Sequence, residues 1–220
     1  MKLNNVIAEL IGMHVGDGTL YNTKSGRVWE LRGGLNEEDY YRDHVRKIIK
    51  SIFPEINTKP KFRSGGKNGC FGFQISKREV TSFFITYGFK PGKKSHTVRI
   101  PKYIINSNVQ IQSSFVRGLF DTDGCIRFER INNQANHTYP KLEFVSASEG
   151  LRNDLQKLLS SMNFRTNIWG NSKTYYRLCI SGTKYLDKFM REISPKNKKH
   201  LSKYQIWQRR GHYVPNAAVA

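Results

Sequence analysis

The stretch Ala8–Gly18, AELIGMHVGDG, returns at Ser114–Gly124 as SFVRGLFDTDG. Small residues fall at Ala8, Gly12 and Gly16 and again at Ser114, Gly118 and Thr122. Apolar residues fill Leu10 and Met13, then Val116 and Leu119, and both stretches end in Asp-Gly, at Asp17-Gly18 and Asp123-Gly124. A small residue at every fourth position is one stripe on a helix. Glycine inside a helix costs about 1 kcal/mol relative to alanine, so Gly12 and Gly118 need a compensating contact. Close approach of a second backbone supplies one. Two helices with matching small stripes are therefore expected to pack on each other, parallel and side by side. Gly18 and Gly124 are expected to end them in left-handed caps.

Asp17 and Asp123 would then sit at helix C-termini, where the macrodipole is negative, and next to each other. A bound divalent cation relieves both repulsions. The two carboxylates, with the terminal carbonyls of Gly16 and Thr122, make a hard-oxygen set suited to Mg²⁺, with Mn²⁺ as a substitute. Asp-Gly by itself is a common helix exit; two copies in register mark this pair out.

Both stretches resemble the signature of the LAGLIDADG homing endonucleases. The second is close: Val116-Arg117-Gly118-Leu119-Phe120-Asp121-Thr122-Asp123-Gly124. The first is looser: Leu10-Ile11-Gly12-Met13-His14-Val15-Gly16-Asp17-Gly18, with Val15 where the signature has its first Asp and His14 in place of an apolar residue. His14 is expected to be packed rather than to carry chemistry. Two motifs in one chain resemble the single-chain, pseudo-dimeric branch of the family. The resemblance implies an α+β fold (mixed α/β halves) of two pseudo-symmetric αββαββα halves, with paired motif helices and saddle-like antiparallel sheets. It also implies recognition of a long double-stranded DNA site and cleavage of both strands by a monomer.

The composition agrees. Lys and Arg number 37 against 17 Asp and Glu, a net charge of +20 with pI near 10.0, which calls for a polyanionic partner. No stretch approaches 18 apolar residues, the length needed to span a membrane, and the N-terminus does not read as a signal peptide. Cys70, Cys125 and Cys179 are odd in number and far apart, which disfavours zinc and favours an intracellular, reducing compartment (cytoplasm or organelle matrix).

Along the chain, Asn4 or Asn5 caps a first helix running to Gly16, and Arg27–Arg32 reads as a strand. Tyr41, Val45, Ile48, Ile49 and Ile52 stripe a second helix that Pro54 stops. Lys59–Arg63 and Phe71–Ser76 read as strands around a turn at Ser64–Gly69, and Val80, Phe83, Phe84 and Tyr87 stripe a third helix. Pro91–Gln112 reads as a polar connection. The second half repeats the order. Strands are expected at Cys125–Ile131 and Lys141–Ser146, with a polar loop at Asn132–Tyr139 between them. A helix is striped by Leu151, Leu155, Leu158, Leu159 and Met162. A hairpin follows over Arg165–Trp169 and Tyr175–Ser181, turning at Gly170-Asn171. Leu186, Phe189, Met190 and Ile193 stripe the last core helix. Ile75-Ser76 and Ile180-Ser181 repeat at nearly the motif offset. The halves are thus 1–105 and 106–210, with 211–220 a loose C-terminal tail.

The strands alternate. Phe71, Phe73 and Ile75 oppose Gln74; Ile126 and Phe128 oppose Arg127 and Glu129; Leu178 and Ile180 oppose Arg177. The open faces would carry Arg27, Arg32, Lys59, Lys61, Arg63, Gln74, Arg127, Glu129, Lys141 and Arg177, a set able to read base edges in a major groove. A solvated sheet face also alternates in this way; four such strands on a chain of this charge favour DNA contact. Two basic runs, Lys90–His96 and Ser194–His200, follow the third helix of each half. The family resemblance implies that lysines from such positions approach the scissile phosphates. Lys94 and one of Lys198 or Lys199 are the candidates; phosphate contact outside the active site is the alternative.

The expectation is a metal-dependent double-strand DNA endonuclease. Asp17 and Asp123 are its catalytic and metal-binding carboxylates, and Lys94, Lys198 and Lys199 candidate catalytic cations. The alternative is an RNA-binding intron maturase on the same scaffold, with intron RNA as partner. Two retained carboxylates argue for the nuclease, since a pure binder has no need of them.

Overall fold

A computed structural model describes residues 1–64, 69–131, 136–169 and 175–213. The first half runs α1 (Asn5–Val15), β1 (Gly18–Thr23), β2 (Gly26–Gly33), a 3₁₀ turn at Leu35–Glu37, and a π-helical segment at Tyr40–Val45. That segment continues as α2 (Arg46–Ile52), followed by β3 (Lys61–Arg63), β4 (Cys70–Ile75) and α3 (Arg78–Thr86). A short α4 (Lys102–Ile105) leads into α5 (Val109–Asp123), β5 (Gly124–Glu129), β6 (Tyr139–Ser146) and α6 (Glu149–Ser161). β7 (Thr166–Trp169), β8 (Tyr176–Ser181), α7 (Thr183–Glu192) and α8 (Lys198–Arg210) complete the chain. Each half builds one four-stranded antiparallel sheet, ordered β1-β2-β4-β3 and β5-β6-β8-β7. The identical order in both sheets makes the internal repeat a structural one.

The repeated helices are capped alike. Asn4 Oδ1 accepts from the Ile7 amide at 2.9 Å, and Asn108 Oδ1 from the Ile111 amide at 3.0 Å, each satisfying an orphan donor of the first turn. The helices then pack along their small stripes. A Cβ on Gly12 would lie 2.1 Å from the Phe115 carbonyl, and one on Gly118 2.1 Å from the Glu9 carbonyl. A Cβ on Gly16 would strike Thr122 Oγ1 at 2.2 Å. Residues 9–13 thus face 115–119 and Gly16 faces Thr122, so α1 and α5 run parallel, as expected. Both aspartates are delivered to the same end.

The inner sheet faces bury the expected apolar sets: Trp29, Leu31, Phe71, Phe73 and Ile75 in one, Ile126, Phe128, Leu142, Phe144, Leu178 and Ile180 in the other. Each sheet is covered by helices of its own half. Trp29 stacks on Phe84 of α3 at 4.9 Å, and Phe120 of α5 meets Phe144 and Phe189 of α7 at 5.2 and 4.7 Å.

Several expectations are corrected. Gly18 and Gly124 are not left-handed caps: Gly124 has φ −86° and ψ 163°, Gly18 is not among the positive-φ glycines, and each opens a strand. Their lack of a side chain is explained by crowding, since a Cβ would meet His14 Cα at 2.5 Å or Phe120 Cδ2 at 2.2 Å. Gly18–Thr23 is a full strand, paired with β2 throughout. The connection between the halves is not simply polar: Val98, Ile100 and Ile104 are buried in it, and α5 begins at Val109. The second helix passes through a π-helical segment, although its stripe is buried as expected. α8 went unread because its composition is basic and polar. Beyond it, Gly211 caps the helix at φ +70° and the Tyr213 amide bonds the His137 carbonyl at 2.9 Å. The turns expected at Ser64–Gly69 and Gly170-Asn171, the loop at Asn132–Tyr139 and the tail beyond Tyr213 lie wholly or partly outside the described residues.

Candidate active site

Asp17 directly follows the first motif helix and Asp123 is the last residue of the second. Their carboxyl groups are near enough to act on each other directly. Burial, then Asp123, then Glu37 push the Asp17 carboxyl up to about 7. Burial also raises Asp123, against the pull of Lys94. Two acids this close repel each other, so ionising both is costly in the metal-free protein. A cavity of about 450 Å³, lined by Gly16, Asp17, Thr19, Tyr21, Lys93 and Lys94, leaves the Asp17 side of the pair open to a ligand.

Two lysines flank the pair. Lys94 Nζ donates to the Val15 and Gly16 carbonyls, each at 2.7 Å, and burial lowers its pKa. Lys199 Nζ donates to the Thr122 carbonyl at 3.0 Å and to Glu37 Oε1 at 2.8 Å. Each ammonium therefore sits at the negative end of a motif helix. Lys198 does not join them. Its side chain is exposed and pairs with Asp39 Oδ2 at 2.6 Å, because successive residues at the start of α8 point to different sides.

The structure also brings in residues that the sequence did not single out. Glu37, on the 3₁₀ turn after β2, is buried and accepts from Lys199, from Asn197 Nδ2 at 2.7 Å and from the Gly34 amide at 2.8 Å. Three successive α5 carbonyls are taken up by residues 197–200. His200 Nε2 contacts the Phe120 carbonyl at 3.1 Å, Asn197 Nδ2 the Asp121 carbonyl at 2.9 Å, and Lys199 the Thr122 carbonyl. The second basic run is thus a C-terminal cap for α5. Glu37 carried no local signal, whereas the motif-like placing of Lys199 after the third helix did.

Residues 110–194 match the profile of the LAGLIDADG-like domain. The fold of the whole chain is similar to that of the solved homing endonuclease I-DmoI. It superposes on I-DmoI in complex with DNA and Mn at TM-score 0.60 and 17% identity, over 89% of this chain and 99% of that one. It superposes on a double mutant of I-SmaMI at TM-score 0.60 and 10% identity, over 96% and 91%. Among curated proteins, the ribonucleoside-diphosphate reductase NrdEB subunit alpha of Bacillus subtilis is 26% identical over 80% of this chain and 16% of its own length. The tRNA-splicing ligase RtcB of Pyrococcus furiosus is 27% identical over 87% of this chain and 22% of its own length. The chain therefore spans about a sixth to a fifth of these two relatives.

The donor set of this site restricts the metal it could hold. Among the described residues no three His, Cys, Asp or Glu side chains cluster as ligands. What the site offers is two carboxylates and the Gly16 and Thr122 carbonyls, each of which keeps a second lone pair beside its lysine. An all-oxygen set that leaves positions for water or phosphate fits Mg²⁺, which keeps several waters and demands few protein ligands.

The open faces of the two sheets start from the same point, since β1 and β5 leave the two aspartates directly. On the first, Glu30 Oε1 holds Arg63 at 3.0 Å and Arg32 at 3.7 Å, while Gln74 donates to the Tyr21 hydroxyl at 3.1 Å. Lys61 shares the face and Lys59 is exposed just before β3. On the second, Arg127 lies 2.7 Å from Glu129 and 3.0 Å from Glu143, Lys141 lies 2.6 Å from Glu129, and Arg177 stacks over Tyr175. Arg27 departs from the expected set. It has the strand parity of Trp29 and Leu31, which places it on the helix-covered side beside Arg78 and Thr81.

Proposed function

We propose that this chain is a site-specific, divalent-metal-dependent endonuclease that binds a long double-stranded DNA site and hydrolyses both strands. One observation carries the reading: two half-buried carboxylates that meet at the ends of parallel motif helices, where the first strand of each sheet begins. Such a pair is costly unless a cation is expected. Asp17 and Asp123, with the carbonyls of Gly16 and Thr122, would hold Mg²⁺ or Mn²⁺. When bound, the ion supplies polarisation of the scissile phosphate and an acidified water. Lys94 and Lys199 contribute positive charge at the same place, where a phosphate gains negative charge during hydrolysis. Lys61, Arg63, Arg32, Gln74, Arg127, Lys141 and Arg177, together with Glu129, would contact base edges and phosphates.

The curated relatives support an independent activity for this segment. A reductase subunit and an RNA ligase share no reaction, yet both contain a stretch similar to it. No helix among the described residues is long and apolar enough to cross a membrane. Cys70, Cys125 and Cys179 are free thiols, in keeping with a reducing compartment.

The test is cleavage of a randomised double-stranded DNA library with Mg²⁺ and with EDTA, sequencing the cut ends. A discrete, Mg²⁺-dependent staggered break is the expected result. Absence of cutting with Mg²⁺ and with Mn²⁺ over a range of temperatures would overturn the endonuclease and leave nucleic-acid binding alone.

A further inference from the structure

The two lysines beside the acidic pair are held by different means. Lys94 rests on two backbone carbonyls and, among the described residues, has no ion pair. Lys199 belongs to a buried network centred on Asp121, which is 0% exposed. Asp121 Oδ2 accepts from the Lys196 amide at 2.8 Å and Oδ1 from the Asn197 amide at 3.1 Å. The Asn197 side chain returns to the Asp121 carbonyl and reaches Glu37 Oε1, the oxygen that also takes the Lys199 ammonium. Asn197 Oδ1 caps α8 by accepting from the Lys199 amide at 3.1 Å. A buried carboxyl group that accepts from two adjacent amides fixes a turn firmly, because hydrogen bonds are strong where water is excluded. The first half has Val15 at the corresponding position, which can grip nothing.

We propose that Asp121 is a positioning residue for Lys199: its carboxylate clamps the Lys196–Asn197 turn to α5, and the clamp, absent from the other half, makes cleavage of one DNA strand depend on it. The inference rests on the endonuclease reading above. A lysine displaced by about 1 Å from the reacting phosphate loses on the order of 10²-fold in rate. The strand served by Lys94 should keep its rate.

Strand-resolved cleavage of a doubly end-labelled target tests this. Asp121→Val, which copies the first half, should slow one strand about 10- to 100-fold and accumulate nicked duplex. Asp121→Asn, keeping one acceptor oxygen, should fall between, and Lys94→Met should bias the opposite strand. Asn197→Ala keeps the Asp121 carboxyl on its two amides but removes the side-chain bonds to Glu37, to the Asp121 carbonyl and to the Lys199 amide, and should act on the same strand as Asp121→Val if that variant does not fold. Equal slowing of both strands, or unchanged rates in a folded variant, would overturn the proposal. Amine-reactive labelling read by mass spectrometry needs no nuclease activity. Lys199 should become more reactive in Asp121→Asn while Lys94 stays constant, and unchanged Lys199 labelling would sink the clamp even if the protein cuts no DNA.

Discussion

At Gly118 one methyl group separates contact from collision between the motif helices. The Cβ of Gly118→Ala would meet the Glu9 carbonyl at 2.1 Å and the Met13 amide nitrogen at 2.9 Å, so the helices must part. The expected cost is about 3 kcal/mol, read in a thermal melt as a fall of roughly 6–12 °C. Asp17 shows the opposite behaviour. Its folded pKa, about 7, lies above the unfolded value, so its contribution to stability is full below about pH 4 and is lost as pH rises through 7. Asp17→Asn should therefore stabilise the metal-free protein at pH 8, lose that advantage near pH 4 and abolish cleavage. Greater stability of the wild type at pH 8 without metal would contradict this account. His14 titrates the other way. Burial pulls it down to about 3, and its Nδ1 accepts from Trp29 Nε1 at 3.2 Å. The unfolded chain binds the proton first, so stability falls as pH drops below about 6.5. Phe stands at the matching position of the second motif, Phe120. His14→Phe should flatten the acid limb of a pH–stability curve while costing about 1–3 kcal/mol at neutral pH, because Trp29 loses its acceptor.

At the scale of elements, the open faces of the sheets show how charge is balanced. Glu30 lies between Arg32 and Arg63, and Glu129 and Glu143 hold Arg127 and Lys141. These glutamates orient the cations and, in the proposed DNA complex, would also repel a mismatched phosphate backbone. Glu30→Gln should tighten binding to random DNA a few-fold and steepen the log K against log salt slope by about 1, as a released Arg63 takes up a phosphate. Titrations at several salt concentrations would check it; an unchanged slope would mean that Arg63 already contacts DNA. The helices divide differently. α1, α5, α6 and α7 have apolar stripes and were readable, whereas α8 is held by side-chain bonds from its first turn to the end of α5, and no stripe announces it.

Across the whole molecule, the buried core runs through both halves, and polar links tie them. Arg99 grips Asp154 with bonds of 2.9 and 2.6 Å, Glu9 holds Arg117 at 2.8 Å, and Lys199 and Asn197 reach Glu37. The acidic pair is thus assembled from both repeats. In the proposed complex a polyanion laid across the sheet faces would relieve the surplus of positive charge, and the two acids would hold a cation at its centre.

The sequence alone determined the repeat, the pairing of the motif helices, the two aspartates and the alternation of the strands. Each is written in local spacing: every fourth residue for a helix stripe, every second for a strand face. Tertiary structure alone decided which cations accompany the aspartates. Lys199 rather than Lys198 enters because α8 turns one inward and the other toward Asp39. Glu37 and Asp121 matter because segments distant in the chain meet there, Glu37 lying 160 residues from Asn197. Arg27, by contrast, shares the alternation of Trp29 and Leu31, so its place on the helix-covered side was already written in the spacing. Spacing along a chain records which residues share a face, but which faces meet, and what a buried charge finds there, is settled only by packing.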